Sequence, residues 1–147
     1  MSDYLINTSE DYNNIYQKST NDLEEFWSTL AKDNFKWQKS WNSVLEWDFS
    51  KPEVNWFQGA KLNITENCID RHLESNGDKT AIIFEPNDVN DKSEHISYSQ
   101  LHKRVNKMAN VLKDIGVKKG DRVCIYLPMI PDLAISVLAC ARIGAVH

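Results

Sequence analysis

Gly116-Val-Lys-Lys-Gly120 places two lysines between two glycines, the residue types from which phosphate-holding loops are built. Its spacing is not GxxxxGK(S/T), and it lies between a predicted helix and a predicted strand. It does not precede a helix N-terminus, where backbone N–H groups would point at an anion. The stretch therefore reads as a helix cap and a turn carrying two solvated lysines. No GxGxxG stretch occurs. Asp70-Arg71-His72 joins an acid, a cation and an imidazole, but consecutive residues of a helix point to different faces, and a catalytic triad needs convergence. His72 falls on an apolar stripe and reads as a packing residue; His95 and His102 belong to a polar segment, and His147 is the last residue. Arg142 is a charge in the last turn of an otherwise apolar helix. It either favours the helix C-terminus with its head in water or reaches a phosphate or partner. Cys68, Cys124 and Cys140 are odd in number and form no CxxC pair, against a disulfide framework or a zinc site. All three fall on apolar faces and read as buried thiols in a reducing compartment. With no HExxH, acidic calcium loop or GxSxG, these residues define no catalytic, cofactor-binding or metal site.

The elements that must carry these residues divide at about residue 62. Residues 1–62 hold all five tryptophans and ten acidic against six basic side chains, whereas 63–147 is balanced in charge. The first region predicts one helix near Asn21 to Asp33, capped by Asn21 or Thr20, with Leu23, Phe26, Trp27 and Leu30 as its stripe. From Phe35 to Phe57 an aromatic recurs without a sustained period. Such a segment is too apolar for disorder, and it predicts an ordered wrap over another domain with the tryptophans as anchors.

The second region is regular. Thr65 can cap a helix carrying Cys68, Ile69, His72 and Leu73, ended by Asn76-Gly77. Strands follow at Thr80–Glu85 and His95–Tyr98, separated by a polar loop from Pro86 to Glu94. Ser97 and Gln100 form a capping box, and Leu101, Val105, Met108, Leu112 and Ile115 make a one-sided core stripe closed by Gly116. Arg122–Leu127 is a β-branched run, Pro131 can open a helix with Asp132 at its positive end, and Gly144 stands where a left-handed cap is wanted. Ala145-Val-His147 reads as the entry to another strand. The order βαβαβ predicts an α/β, doubly wound parallel sheet, and the chain reads as part of a larger domain.

Composition narrows the classes. A net charge of −4 argues against nucleic-acid or anionic-membrane partners, which need clustered positive charge. No apolar run reaches the roughly 18 residues of a membrane span, and the N-terminus lacks a secretory signature. Asn7-Thr-Ser9 and Asn63-Ile-Thr65 match the glycosylation pattern by chance on that reading.

Three stretches together carry a family resemblance: Trp56–Asn63 continuing through Asn67–Leu73, His95–Leu101 leading to Gly116–Asp121, and Ile125–Pro131 with Leu138–His147. They resemble the acetyl-coenzyme A synthetase family, the AMP-forming acetate–CoA ligases of the adenylate-forming superfamily. Tyr16 and Phe26-Trp27 are similar to that family's N-terminal extension. Residues 1–62 would then be the extension wrapping the large domain, and 63–147 the incomplete start of the AMP-binding domain. The resemblance implies a two-step reaction: acetate and ATP, with Mg²⁺, give acetyl-adenylate and pyrophosphate, and CoA then takes the acetyl group. The partners implied are acetate, ATP, CoA and the remainder of the protein's own large and C-terminal domains, in the cytoplasm. The family's phosphate loop, ribose aspartate, CoA-contacting arginines and mobile-domain lysine match no residue here, so the chain alone is expected to be inactive. Arg142 and His147 gain at most proximity to the CoA site. A propionate–CoA ligase and a stand-alone non-catalytic α/β module are the alternatives.

Overall fold

The computed structural model describes residues 5–147, which form two compact units divided between Leu62 and Asn63.

In the first unit, helices α1 (Ser9–Asn21) and α2 (Leu23–Asn34) precede an antiparallel hairpin of β1 (Ser43–Asp48) and β2 (Glu53–Gln58). The expectation of a single helix here is corrected to two. Helix α1 buries no residue, so no apolar stripe announces it. Its start is set by a capping box: the Asp11 N–H donates to Thr8 Oγ1 at 3.0 Å, and Asp11 Oδ2 accepts the Thr8 N–H at 2.9 Å. The Thr8 side chain and the Asn7 N–H hold the Asp11 carboxyl below the ordinary carboxylate range. Thr20 and Asn21 do not cap α2, because both end α1 and bond back to Tyr16 and Gln17. Asp22 precedes α2 without a side-chain capping bond.

The aperiodic stretch from Phe35 to Phe57 is also corrected, since it folds into the hairpin. Cross-strand pairs Leu45↔Trp56 and Trp47↔Val54 put apolar side chains on one face. Asp48 Oδ1 accepts from the Ser50 N–H at 2.9 Å and shapes the turn. The rings of Trp37, Trp41 and Phe57 pack on one another with centroids 5.0–5.6 Å apart. Trp37 Nε1 donates to the Ala31 carbonyl at 2.9 Å, tying this cluster to the end of α2. Phe57 has φ 51°, a left-handed conformation that a bulky residue keeps only where its surroundings hold it.

The second unit contains short helices α3 (Ile64–Cys68) and α4 (Leu73–Asn76) around a 3₁₀ turn at Asp70–His72. Strands β3 (Thr80–Phe84) and β4 (Glu94–Ser97) follow, then helices α5 (Tyr98–Asp114) and α6 (Pro131–Ile143). One continuous helix from Thr65 to Asn76 was expected; the backbone instead leaves helical geometry at Ile69 (φ −122°, ψ −66°), whose side chain is fully buried. Asn63, rather than Thr65, caps α3 by accepting the Thr65 N–H at 2.9 Å.

The α/β class is as the sequence indicates, but β3 and β4 pair antiparallel as a hairpin. Among the described residues parallel pairing is confined to an isolated bridge, Arg122↔Val146. There Val123 N–H donates to the Val146 carbonyl and Val146 N–H to the Asp121 carbonyl, both at 2.8 Å. Arg122–Leu127 keeps the alternation of a strand, with Val123 and Ile125 against the core and Tyr126 wholly exposed. It lacks a ladder beyond that bridge, so the expected strand is corrected to an extended segment.

Helices α5 and α6 pack together over Leu101, Val105, Ala109 and Leu112 on one side and Ile135, Ala139 and Cys140 on the other. Ile115 departs from the expected stripe: it is 72% exposed, and Ala109 is buried in the core instead. Both helices end in the same Schellman pattern. Val117 N–H reaches the Leu112 carbonyl at 3.0 Å past Gly116 (φ 98°), and Ala145 N–H reaches the Cys140 carbonyl at 2.9 Å past Gly144 (φ 75°). The capping box is formed as read, with Ser97 Oγ accepting the Gln100 N–H at 3.3 Å and Gln100 Oε1 accepting the Ser97 N–H at 2.8 Å. Ser97→Ala is expected to cost about 1 kcal/mol, measured as faster amide exchange at Gln100.

Candidate functional site

The densest polar cluster of the second unit is built on Asp70, Arg142, His102, Asn106 and Asn63. The break at Ile69 leaves Asp70 in the 3₁₀ turn, where it meets Arg142 from the last turn of α6. The contact is a two-pronged fork: Nη1 donates to Oδ2 at 3.1 Å and Nη2 to Oδ1 at 2.6 Å. The Arg142 side chain is 18% exposed, and its Nε is buried without a hydrogen-bond partner. The expectation that this head stays in water is therefore overturned: Asp70 supplies its compensation. His102, one turn before Asn106 on α5, places Nε2 at 3.5 Å from Asp70 Oδ1 and 2.9 Å from Asn106 Nδ2. A protonated Nε2 donates toward Asp70; an unprotonated one accepts the Asn106 amide.

Asn63 serves two helix ends at once. Its Oδ1 caps α3, while its Nδ2 donates to the Arg142 carbonyl at 3.0 Å and so caps α6. No pattern of spacing marks this double role, because its two partners lie 2 and 79 residues away.

The remaining residues singled out in the sequence do not join this cluster into a catalytic set. His72 packs its ring against Tyr98, with centroids 5.7 Å apart. His95 is exposed on β4, opposite Ile83, and His147 is exposed. Gly116–Gly120 forms the cap and turn that were read, with the Lys118 N–H donating to Asp121 Oδ2 at 2.8 Å. Cys140 is buried and its thiol is pushed up by that burial, whereas Cys68 and Cys124 are exposed, which corrects the reading of three buried thiols. Asp132, in the first turn of α6, also pairs with Arg104 at 3.2 Å, and Arg104 holds Glu94 at 2.7 Å. Among the described residues no group of three His, Cys, Asp or Glu side chains could hold a metal ion. The cluster can fix the end of α6 against the 3₁₀ turn and α5. It presents no nucleophile beside a base.

Helices packed beside an antiparallel hairpin, an α6 that leads into a parallel bridge, and this polar strut make a scaffold that fixes the end of α6. The AMP-binding enzyme family model matches residues 69–147, and the chain belongs to that family. A second model, acetyl-coenzyme A synthetase N-terminus, matches residues 12–68. The acetyl-coenzyme A synthetase of Alkalilimnicola ehrlichii is 52% identical over 140 residues, covering 95% of this chain and 22% of that protein. That of Magnetococcus marinus is 53% identical over 144 residues, covering 97% and 22%. An acetoacetyl-CoA synthetase structure from Streptomyces lividans superposes with a TM-score of 0.82 at 28% identity, covering 97% of this chain and 21% of that one. The chain thus spans about a fifth of the length of the curated relatives it matches.

Proposed function

We propose that this chain is the amino-terminal part of an AMP-forming acetate–CoA ligase. The observation that carries the reading is the tandem match of the two family models along one chain, with 52% identity to an acetyl-coenzyme A synthetase over 95% of its length. In the reaction proposed for the whole protein, an acetate oxygen attacks the α-phosphorus of ATP. Pyrophosphate leaves and acetyl-adenylate forms. The CoA thiol then attacks the acetyl carbon and AMP leaves, giving acetyl-CoA.

Mg²⁺ would shield the phosphates in such a reaction, and among the described residues no group of three His, Cys, Asp or Glu side chains could hold a metal ion by itself. ATP, acetate and CoA are assigned to parts of the whole protein outside residues 1–147. What this chain contributes is placement. The Asp70–Arg142 fork and the Asn63 double cap hold the end of α6, from which the parallel-paired segment at Val146 departs. Residues 1–62 are assigned to an extension wrapping the large domain. The exposed apolar side chains Trp47, Phe49 and Val54 of the hairpin support that assignment. Residues 63–147 are assigned to the start of the AMP-binding domain. Among the described residues no helix is long and apolar enough to cross a membrane, and a cytoplasmic location is proposed.

Acetate-dependent exchange of label between pyrophosphate and ATP tests the reading. The full reading frame is expected to catalyse it, and residues 1–147 alone are expected to show none. Parallel reactions with propionate and acetoacetate decide the acid. Exchange only with propionate would move the assignment to a propionate ligase, and exchange with no carboxylic acid would overturn the ligase reading.

A further inference from the structure

The lysines of the Gly116–Gly120 turn, which the ligase reading leaves without a task, line an open groove with the last turns of α5 and α6. Asn106, Asn110 and Lys113 fall at i, i+4 and i+7 along α5 and share one face. Lys118 and Lys119 come from the turn, and Arg142 closes the floor. No acidic side chain lines the groove, although the chain carries a net charge of −4. All three lysines are exposed, and none forms an ion pair among the described residues.

We propose that this groove is a binding site for a multiply charged phosphate group, such as a polyphosphate or phosphate ester. Three ammonium groups and the Asn110 amide supply donors to several oxygens at once, while the Asn106 amide lies against His102, and an anion of higher charge gains most from them. The obvious objection is that both helices present their negative ends here. Most of those carbonyls are already occupied: Leu112, Lys113, Cys140 and Ala141 accept bonds from the Schellman amides, and Arg142 accepts from Asn63. The lysines therefore set the sign of the groove. The Lys119 stem runs beside Gly144, where a Cβ would come within 2.9 Å of Lys119 Cγ. Arg142 keeps its fork on Asp70 and leaves the three lysines as the uncommitted cations of the groove.

Tripolyphosphate is the probe, and the full reading frame is the sample. Lysine acylation is read residue by residue by mass spectrometry, with and without the probe, so the result is independent of the ligase reaction. Lys113, Lys118 and Lys119 are expected to lose reactivity together, several-fold, while the exposed Lys103 and Lys107 elsewhere on α5 keep theirs. Added salt should reverse the protection. In the Lys118→Glu, Lys119→Glu double variant, protection of Lys113 should disappear. Unchanged rates at the three lysines, an equal fall at Lys103 and Lys107, or protection of Lys113 that survives the double variant would each overturn the site. So would three lysines already unreactive without the probe, which would assign the groove to contact with other parts of the protein.

Discussion

Asp70→Ala is expected to loosen the end of α6 by about 2–3 kcal/mol, leaving the rest of the second unit folded. Removing one partner of a buried ion pair typically costs about 3–5 kcal/mol, because the other charge stays behind uncompensated. The smaller figure follows from geometry: the Asp70 side chain keeps 30% exposure, so water offsets part of the loss. Arg142 would be left with a charge whose side chain is only 18% exposed and whose Nε already lacks a partner. The measurement is amide hydrogen exchange at the last turn of α6 and at Val146, whose N–H donates to the Asp121 carbonyl at 2.8 Å. Those amides should exchange roughly thirty- to a hundredfold faster, since about 1.4 kcal/mol is a factor of ten. Replacing both partners, as in Asp70→Leu with Arg142→Met, should recover much of the protection, because neither charge then remains buried. If Asp70→Ala left these amides unchanged, the fork would be a contact without structural consequence.

That fork also shows where the sequence stops being legible. Local patterns were readable wherever one physical rule acted over a few residues. Ser97 and Gln100 sit three apart and cap each other; Pro131 opens α6; Gly116 and Gly144 take the left-handed geometry that a Schellman end requires. The Asp70–Arg142 and Asn63–Arg142 contacts join residues more than 70 positions apart, and no short-range rule reports them. Arg142 stands out in the sequence as a lone charge in an apolar helix, but no local pattern names its partner, because Asp70 follows a helix break at Ile69 that no residue type announces. Helix α1 was missed for the opposite reason. Its signal is wholly local, but Asp11 stands where the usual capping box has Glu or Gln, and the helix has no buried face to reinforce it. The hairpin at Ser43–Gln58 was hidden because its apolar face, Leu45 and Trp47 against Val54 and Trp56, is interrupted by the acidic turn flank of Asp48 and Glu53. Of the candidate cluster only Arg142 stands out in the sequence; the glycine–lysine turn, read from its spacing as a cap and a turn, lies at two helix C-termini.

The α5 stripe gives the sharpest contrast between pattern and packing. Leu101 and Ile115 occupy its two ends and carry side chains of the same size, so periodicity assigns them equal weight. In the structure Leu101 is 5% exposed and packs in the core, whereas Ile115 is 72% exposed at the helix C-terminus. Leu101→Ala is therefore expected to cost about 2–4 kcal/mol, from lost transfer free energy and the cavity left between α5 and its neighbours. Ile115→Ala should stay within about 0.5 kcal/mol, since it removes carbons that water already reaches. The divergence arises from the helix end itself. After Asp114 the chain leaves the helix, and the Schellman turn past Gly116 brings Val117, not Ile115, against the core. Exchange of the α5 amides in the two variants reads both effects on one scale, with Leu101→Ala accelerating the helix interior and Ile115→Ala leaving it unchanged. Equal acceleration by both would mean that Ile115 is covered in solution, and the end of α5 would then have to pack as the periodic stripe implied.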